Sequence, residues 1–317
     1  MQIVKPTSVT VAAPVTGNLL STNVVNPYPE WSSAGVSYTL GSYVVVGNYT
    51  GSNTVDITSS GTYRCLIDHV SNASNGPLQS ASNWVRIGPT NQFAVFDNSV
   101  SSSTTSTSNI VFTVRSSLID SVAVLNVFGS KVKVEVVDAD TSSTVYSRTI
   151  QLSGAESIDW YSYFFFFEEE AQKTQALFLD IPKVSNSRTT ITIYGSGNVS
   201  VGSFVMGQIK EIGQVQYGVN TGIIDYSRKE TDEFGNTSLV VRNYSKRMNA
   251  KVFLSNTNLN KVQRLLYSIR ATPVLWIGSE DILLEEPLVV FGYYKDFDTE
   301  IAYPAHSLCN LQIEGLI

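Results

Sequence analysis

The chain has 317 residues and a formal net charge of −6, a length that suits two or three domains of about 150 residues each. Charged residues make up only 15% against ~25% in an ordinary globular chain, and the acidic balance excludes the basic face that a nucleic-acid binder carries. Ser, Thr, Asn, Val and Tyr fill the gap, which favours strands and polar turns over helices.

Residues 1–27 read as an extended N-terminal arm. Pro6, Pro14 and Pro27 block helix, and Val9-Thr10-Val11 is extended chain. Packing on a neighbour and forming the first strand of the chain's own core are both open. Residues 28–88 form a small β module, with strands at Tyr43-Val44-Val45-Val46 and Thr62–Ile67 and turns at Gly47, Gly51 and Gly61. A Ser- and Asn-rich loop follows over 71–83, around Gly76-Pro77. A unit of this size buries little core of its own, so the rings of Trp31, Tyr63 and Trp84 are candidates to hold it together.

Residues 89–215 read as an antiparallel β-sandwich of jelly-roll type. Phe93–Phe96 looks like its first strand, and the polar run Ser101–Ser108 is a loop or hinge. Ile110–Val114, Val122–Val124, Val132–Val136, Ile191–Tyr194 and Val199–Val201 are strands. In the third of these, Val132, Val134 and Val136 face one way and Lys131, Lys133 and Glu135 the other, the pattern of a half-buried antiparallel strand. Gly195-Ser196-Gly197 reads as a hairpin turn. Residues 216–317 form an α+β unit. Leu239–Val241, Lys251–Leu254, Val274–Ile277 and Leu288–Phe291 are its strands. One amphipathic helix runs from a cap at Thr257 or Asn258 to about Arg270, with Leu259, Val262, Leu265, Leu266 and Ile269 on one face, and Thr272-Pro273 ends it. The fold class is therefore mainly β.

Residues able to make or break bonds are scarce. His69 and His306 are the only histidines, and neither sits in a metal-ligand pair. Cys65 and Cys309 are too few for a disulfide framework or a zinc site and suit small buried hydrophobes. No nucleophile elbow and no phosphate-cradling loop is present. Asp138/Asp140, Asp296/Asp298 and Glu168–Glu170 offer paired carboxylates, but acidic residues two apart on a strand usually form its wet face. No enzyme activity, metal or cofactor is expected. The first residues lack a secretory leader, and no run of ~18 apolar residues occurs, so no membrane insertion is expected.

Binding is the better-supported class. Aromatic rings stack on the C–H faces of sugars, and Tyr28, Trp31 and Tyr49 are the candidate glycan-binding residues; for Trp31 a place in the module's core is the competing assignment. The series Trp31, Tyr38-x-x-Gly41-x-x-Val44, Gly61-x-Tyr63-Arg64-Cys65 and Trp84 resembles the short chitin-binding type carbohydrate module of bacterial chitinases, over about 60 residues. It departs from that family at Leu66-Ile67-Asp68-His69, where the family carries an exposed aromatic, and in a polar insert over 47–60. The resemblance implies the module's fold, while these departures leave its sugar site open. Phe164, Phe165, Phe166 and Phe167 make a strand apolar on both faces, suited either to a core or to a subunit interface. The mixed charges over Asp225–Lys251 suit either a solvated face or an oriented subunit contact.

Three further runs resemble a common tailed-bacteriophage virion protein: Ile87–Asp97, Tyr217–Gly235, and Tyr294–Tyr303 with Leu311–Ile317. That resemblance implies a tail-tip or baseplate component located in the virion and made in the bacterial cytoplasm, whose partners are copies of itself and other tail proteins. The alternative is a glycan-binding adhesion protein that contacts host surface polysaccharide.

Overall fold

The computed structural model describes residues 1–11, 18–51, 53–97, 99, 101–152, 172–231, 233–279, 285–301 and 303–316. Phe164, Phe165, Phe166 and Phe167 lie outside the described residues. The protein is mainly β, with antiparallel sheets and little helix. Two compact units divide the chain: one of Ser8–Asp97 and Ser102–Phe204, the other of Met1–Thr7, Asn98–Ser101 and Val205–Ile317.

The first unit holds the sandwich and the small module. One sandwich sheet has the strand order Gln175–Phe178, Ser121–Phe128, Val199–Gly207, Thr104–Ser106; the other has Thr144–Gln151, Lys131–Asp138, Ser187–Tyr194, Ile110–Ser116, Leu19–Thr22. Alternation decides which side chains meet between them. Along Ile110–Ser116 every second residue is buried, and Val132, Val134, Val136, Ile191 and Ile193 do the same on the neighbouring strands. Phe112 makes edge-to-face contacts with Phe96 and Phe204, with ring centres 5.2 and 5.4 Å apart.

From Thr104 to Gly207 the chain crosses between sheets at every connection except that joining Lys131–Asp138 to Thr144–Gln151, which is wiring of jelly-roll type. This corrects the expectation for Gly195-Ser196-Gly197. The turn carries the chain from one sheet to the other and closes no hairpin. A Cβ on Gly195 would meet Val199 Cγ2 at 2.5 Å, so glycine is needed where the sheets converge. Phe93–Phe96 is likewise not a strand. Ala94–Phe96 is a helical turn, begun by the Thr90 carbonyl accepting from the amides of Phe93 and Ala94. Phe93, Ala94 and Val95 are all buried, and a short apolar run gives no period to tell the two apart.

The small module is a three-stranded sheet, Tyr43–Val46, Gly61–Cys65 and Trp84–Gly88, beside the pair Ser37–Tyr38 and His69–Val70. Tyr38, Val44, Tyr63, Cys65 and Trp84 form its core. The insert over 47–60 begins with Gly47 at φ +84°, where a Cβ would also press on Ser60. It is tied back to the N-terminal segment by a bridge between Val55 and Val11.

The second unit is an eight-stranded antiparallel sheet ordered Ile209–Glu211, Gln2–Val4, Val274–Ile277, Val289–Glu300, His306–Gly315, Tyr244–Ser255, Gln214–Val215, with Asn220–Asp225 also paired to Tyr244–Ser255. The helix Leu259–Ser268 lies on one face. Its Val262 and Leu266 are buried, with Ile269 just beyond its end, against Met248, Ala250, Val252, Leu254 and Trp276. Asn258 occupies the N-cap position, but its side chain makes no capping bond. No helix among the described residues is long and apolar enough to cross a membrane.

Of the two roles left open for the extended arm over 1–27, its described strands take the second and pair within the chain itself. Gln2–Val4 is an interior strand, paired on one side with Ile209–Glu211 and on the other with Val274–Ile277, and Leu19–Thr22 pairs with Ile110–Ser116. The apolar Ile3-Val4 pair is buried within its own sheet. The expected boundaries shift with it: residues 8–27 and the small module belong with the sandwich, and the C-terminal unit begins at Val205 and takes in Met1–Thr7. A chain lacking residues 1–5 should lose several kcal/mol, since Ile3 and Val4 are buried at ~1.5–3 kcal/mol per aliphatic side chain. Thermal unfolding of the truncated chain measures it, and an unchanged midpoint would contradict the interior placement.

Candidate functional site

The three aromatic candidates do not form one platform. Tyr28 stacks on Tyr43, with ring centres 4.9 Å apart and planes 20° from parallel. Tyr43 and Val44 point to opposite faces of the sheet, and Val44 belongs to the core, so the Tyr28–Tyr43 pair lies on the outer face. Arg64, directly across from Tyr43, is exposed there too. Trp31 is on the other side, packed against the core cluster, with Gly76 beneath its ring. A Cβ on Gly76 would meet the indole carbons at 2.9 Å. Tyr63 and Trp84 are core residues, and Trp84 Nε1 donates to the Asn75 carbonyl at 2.9 Å. His69 is wedged against the Trp84 and Tyr38 rings, with Nδ1 2.7 Å from the Ile67 carbonyl.

Tyr49 has a third location. Its hydroxyl donates to the Leu20 carbonyl at 3.0 Å, on the edge strand of the sandwich. Its backbone is gripped by Gln92, which is 4% exposed. Gln92 Oε1 accepts from the Tyr49 amide at 2.9 Å and from Asn26 Nδ2 at 3.2 Å; Nε2 donates to the Tyr49 carbonyl at 3.1 Å and the Val24 carbonyl at 3.0 Å. Its neighbour Asn91 repeats the device, with Nδ2 donating to the carbonyls of Val25 and Thr105 and Oδ1 accepting from the Thr105 amide. These two carboxamides stand in for strand partners where the N-terminal segment, the module's insert and the entry to the sandwich meet. A cleft of about 310 Å³ opens beside them, lined by Ser21–Val25, Asn48–Gly51 and Gln92.

A second surface stands out in the C-terminal unit. Among the described residues the strands Arg228–Thr231 and Thr237–Val240 pair with each other alone, and both are exposed along their length. On and around this ribbon, Phe234 is 89% exposed, Val241 85% and Leu239 73%, with Ile223 and Tyr244 also in the open. Arg228, Lys229 and Arg242 alternate with Glu230 and Glu233, and Arg228 pairs with Glu230.

Charged clusters elsewhere are structural. Tyr146 donates to Asp180 Oδ1 at 2.6 Å, and Arg148 reaches the same oxygen at 3.1 Å. Burial, then the hydrogen bond to Asp180, pushes the Tyr146 phenol well above its ordinary range. Burial opposes ionisation of Asp180, but the Tyr146 hydrogen bond and the Arg148 charge outweigh it and hold the carboxyl low. Among the described residues no three of His, Cys, Asp and Glu gather closely enough to hold a metal ion.

The sequence reading missed the Gln92–Asn91 clamp, whose only signal was two carboxamide residues inside a run read by resemblance. It named the charges of the ribbon and a strand at Leu239–Val241, but not that Leu239, Val241 and Phe234 would stand exposed there. No family model matches the chain, and no curated protein does.

Gln92→Ala should cost about 3 kcal/mol, because it strands the Tyr49 amide and the Tyr49 and Val24 carbonyls; urea unfolding reads the loss. The Asp180 carboxyl is lower in the folded state, so its contribution is present above the unfolded value of ~3.9 and lost as pH falls through the folded value. The stability gap between the native chain and Tyr146→Phe should accordingly shrink on acidification. A gap constant down to about pH 2 would rule this linkage out.

Proposed function

We propose that this chain is a structural subunit of a bacteriophage tail, in the tail tip or baseplate, and that it works by assembly with copies of itself and with other tail proteins. The observation that carries the reading is the exposed ribbon Arg228–Val240 with its flanks. An isolated two-stranded hairpin is marginal in water, and large apolar side chains on both of its faces favour burial against another surface. Phe234, Leu239 and Val241 are all largely exposed. The interleaved charges would fix the orientation of a partner and disfavour wrong ones.

The resemblance to tailed-phage virion proteins supports the same reading, because one of its runs, Tyr217–Gly235, covers the first half of this ribbon. Obligate contacts commonly bury more than ~2,000 Å² in total, and in a ring they run head-to-tail. The mechanism asks for no bond-making chemistry. It asks for a firm β scaffold that presents a projecting, adhesive strand pair.

The test replaces residues 227–242 by a short turn. Tyr226 and Asn243 are already joined by a backbone hydrogen bond at 3.3 Å, so the sheet should keep its unfolding midpoint. The shortened chain should fail to enter tails in a complementation assay and should lose any self-association seen by light scattering. Normal incorporation of the shortened chain into infectious particles would overturn the assignment of the ribbon.

A further inference from the structure

We propose that the cleft between the edge strand of the sandwich and the Asn48–Gly51 turn binds an uncharged sugar. This site belongs to the sandwich unit and does not depend on the tail-assembly reading. It is also distinct from the Tyr28–Tyr43 face of the small module.

At about 310 Å³ the cleft lies at the small end of the range for small-molecule sites. Its walls are fixed from behind. Asn23 is held by its bonds to Val111 and Asn109, Tyr49 is pinned through its hydroxyl to Leu20, and Gln92 spends its whole carboxamide on backbone and Asn26. Asn48 Oδ1 is held by Asn26 Nδ2 at 2.9 Å. A site held this way loses little conformational freedom when it is filled.

What the walls leave unspent defines the ligand. Among the described residues, Asn48 Nδ2 and the Ser21 hydroxyl have no protein partner, and the Thr22 hydroxyl accepts from the Val24 amide but has its proton to give. No lining residue carries a charge. An anion would find no cation there and a cation no carboxylate. A wholly apolar ligand would cover an amide donor and two hydroxyls without returning a hydrogen bond, which is costly. A neutral polyol supplies acceptors for Asn48 Nδ2 and hydroxyls that match Ser21 and Thr22 in both directions. Its C–H faces suit the apolar surface of Val25 and Tyr49, which are among the lining residues. Tyr49, named from sequence as a glycan residue, thus belongs to a site that Tyr28 and Trp31 do not share.

The experiment titrates the full chain with the methyl glycosides of glucose, galactose, N-acetylglucosamine and rhamnose, and with glucuronic acid as a charged control, read by saturation-transfer NMR and calorimetry. At least one neutral glycoside should bind, and glucuronic acid should bind more weakly. Asn48→Asp keeps the oxygen that Asn26 needs and removes the free donor, so affinity should fall about tenfold with little change in unfolding midpoint. Ser21→Ala, at an exposed position, should weaken binding a few-fold and checks the result should Asn48→Asp unsettle the turn. Tyr28→Ala should leave affinity unchanged. The proposal is overturned if none of the neutral glycosides binds, if glucuronic acid binds as well as they do, or if Tyr28→Ala abolishes binding while Asn48→Asp and Ser21→Ala do not.

Discussion

The organisation of the sandwich unit depends on one buried carboxamide. Gln92 meets four hydrogen-bonding demands at once, from Tyr49, Val24 and Asn26, at a junction where three chain segments arrive with unpaired backbone. Buried backbone groups need partners, and an extended segment without a strand beside it has none. A glutamine side chain carries the donor and acceptor of a peptide group, and here it acts as a short piece of sheet. Asn91 repeats the device one residue earlier. The module's insert, which looks on composition like a dispensable polar loop, is thereby built into the fold through Asn48 and Tyr49.

The same demand for pairing explains the path of the chain. Gln2–Val4 lies between strands more than 200 residues later in sequence, so its sheet closes only when both ends of the chain are present. Pairings this remote carry a large loop-closure cost before they are rewarded. The return is a strand buried on both sides, with the N-terminal amino group donating to the Gly213 carbonyl at 2.5 Å. Gln2–Val4 and His306–Gly315 thus lie inside the sheet, whereas the ribbon around Phe234 is exposed along both of its strands. That contrast, satisfied pairing within and uncovered apolar side chains on one projecting strand pair, is what favours an assembly role over a self-contained binding module.

The strands of one sandwich sheet were legible in the sequence because a half-buried strand repeats every two residues, and Ile110–Ser116, Lys131–Asp138 and Ser187–Tyr194 follow that period, whereas Ser121–Phe128 and Val199–Gly207 are buried along most of both faces. The helix Leu259–Ser268 was legible for the matching reason, with Val262, Leu266 and Ile269 falling on one stripe. The failures share a cause. Phe93, Ala94 and Val95 are buried in succession, so the run's period is silent. Gly195–Gly197 has the composition of a hairpin turn, and composition does not say whether the strands it joins pair with each other. Residues 1–27 showed extended chain but not the strands they join, since those lie far away in sequence.

What the residues determined alone was local: which segments extend, which coil into a helix, and which aromatic rings a 60-residue module needs to hold itself together. Partnership was decided only in three dimensions. Tyr28, Trp31 and Tyr49 are of one chemical type and near in sequence, yet the chain places them on an outer face, against a core and beside a cleft. Side-chain type is a property of the residue, while exposure, neighbours and unspent hydrogen bonds are properties of where the strands around it happen to pair.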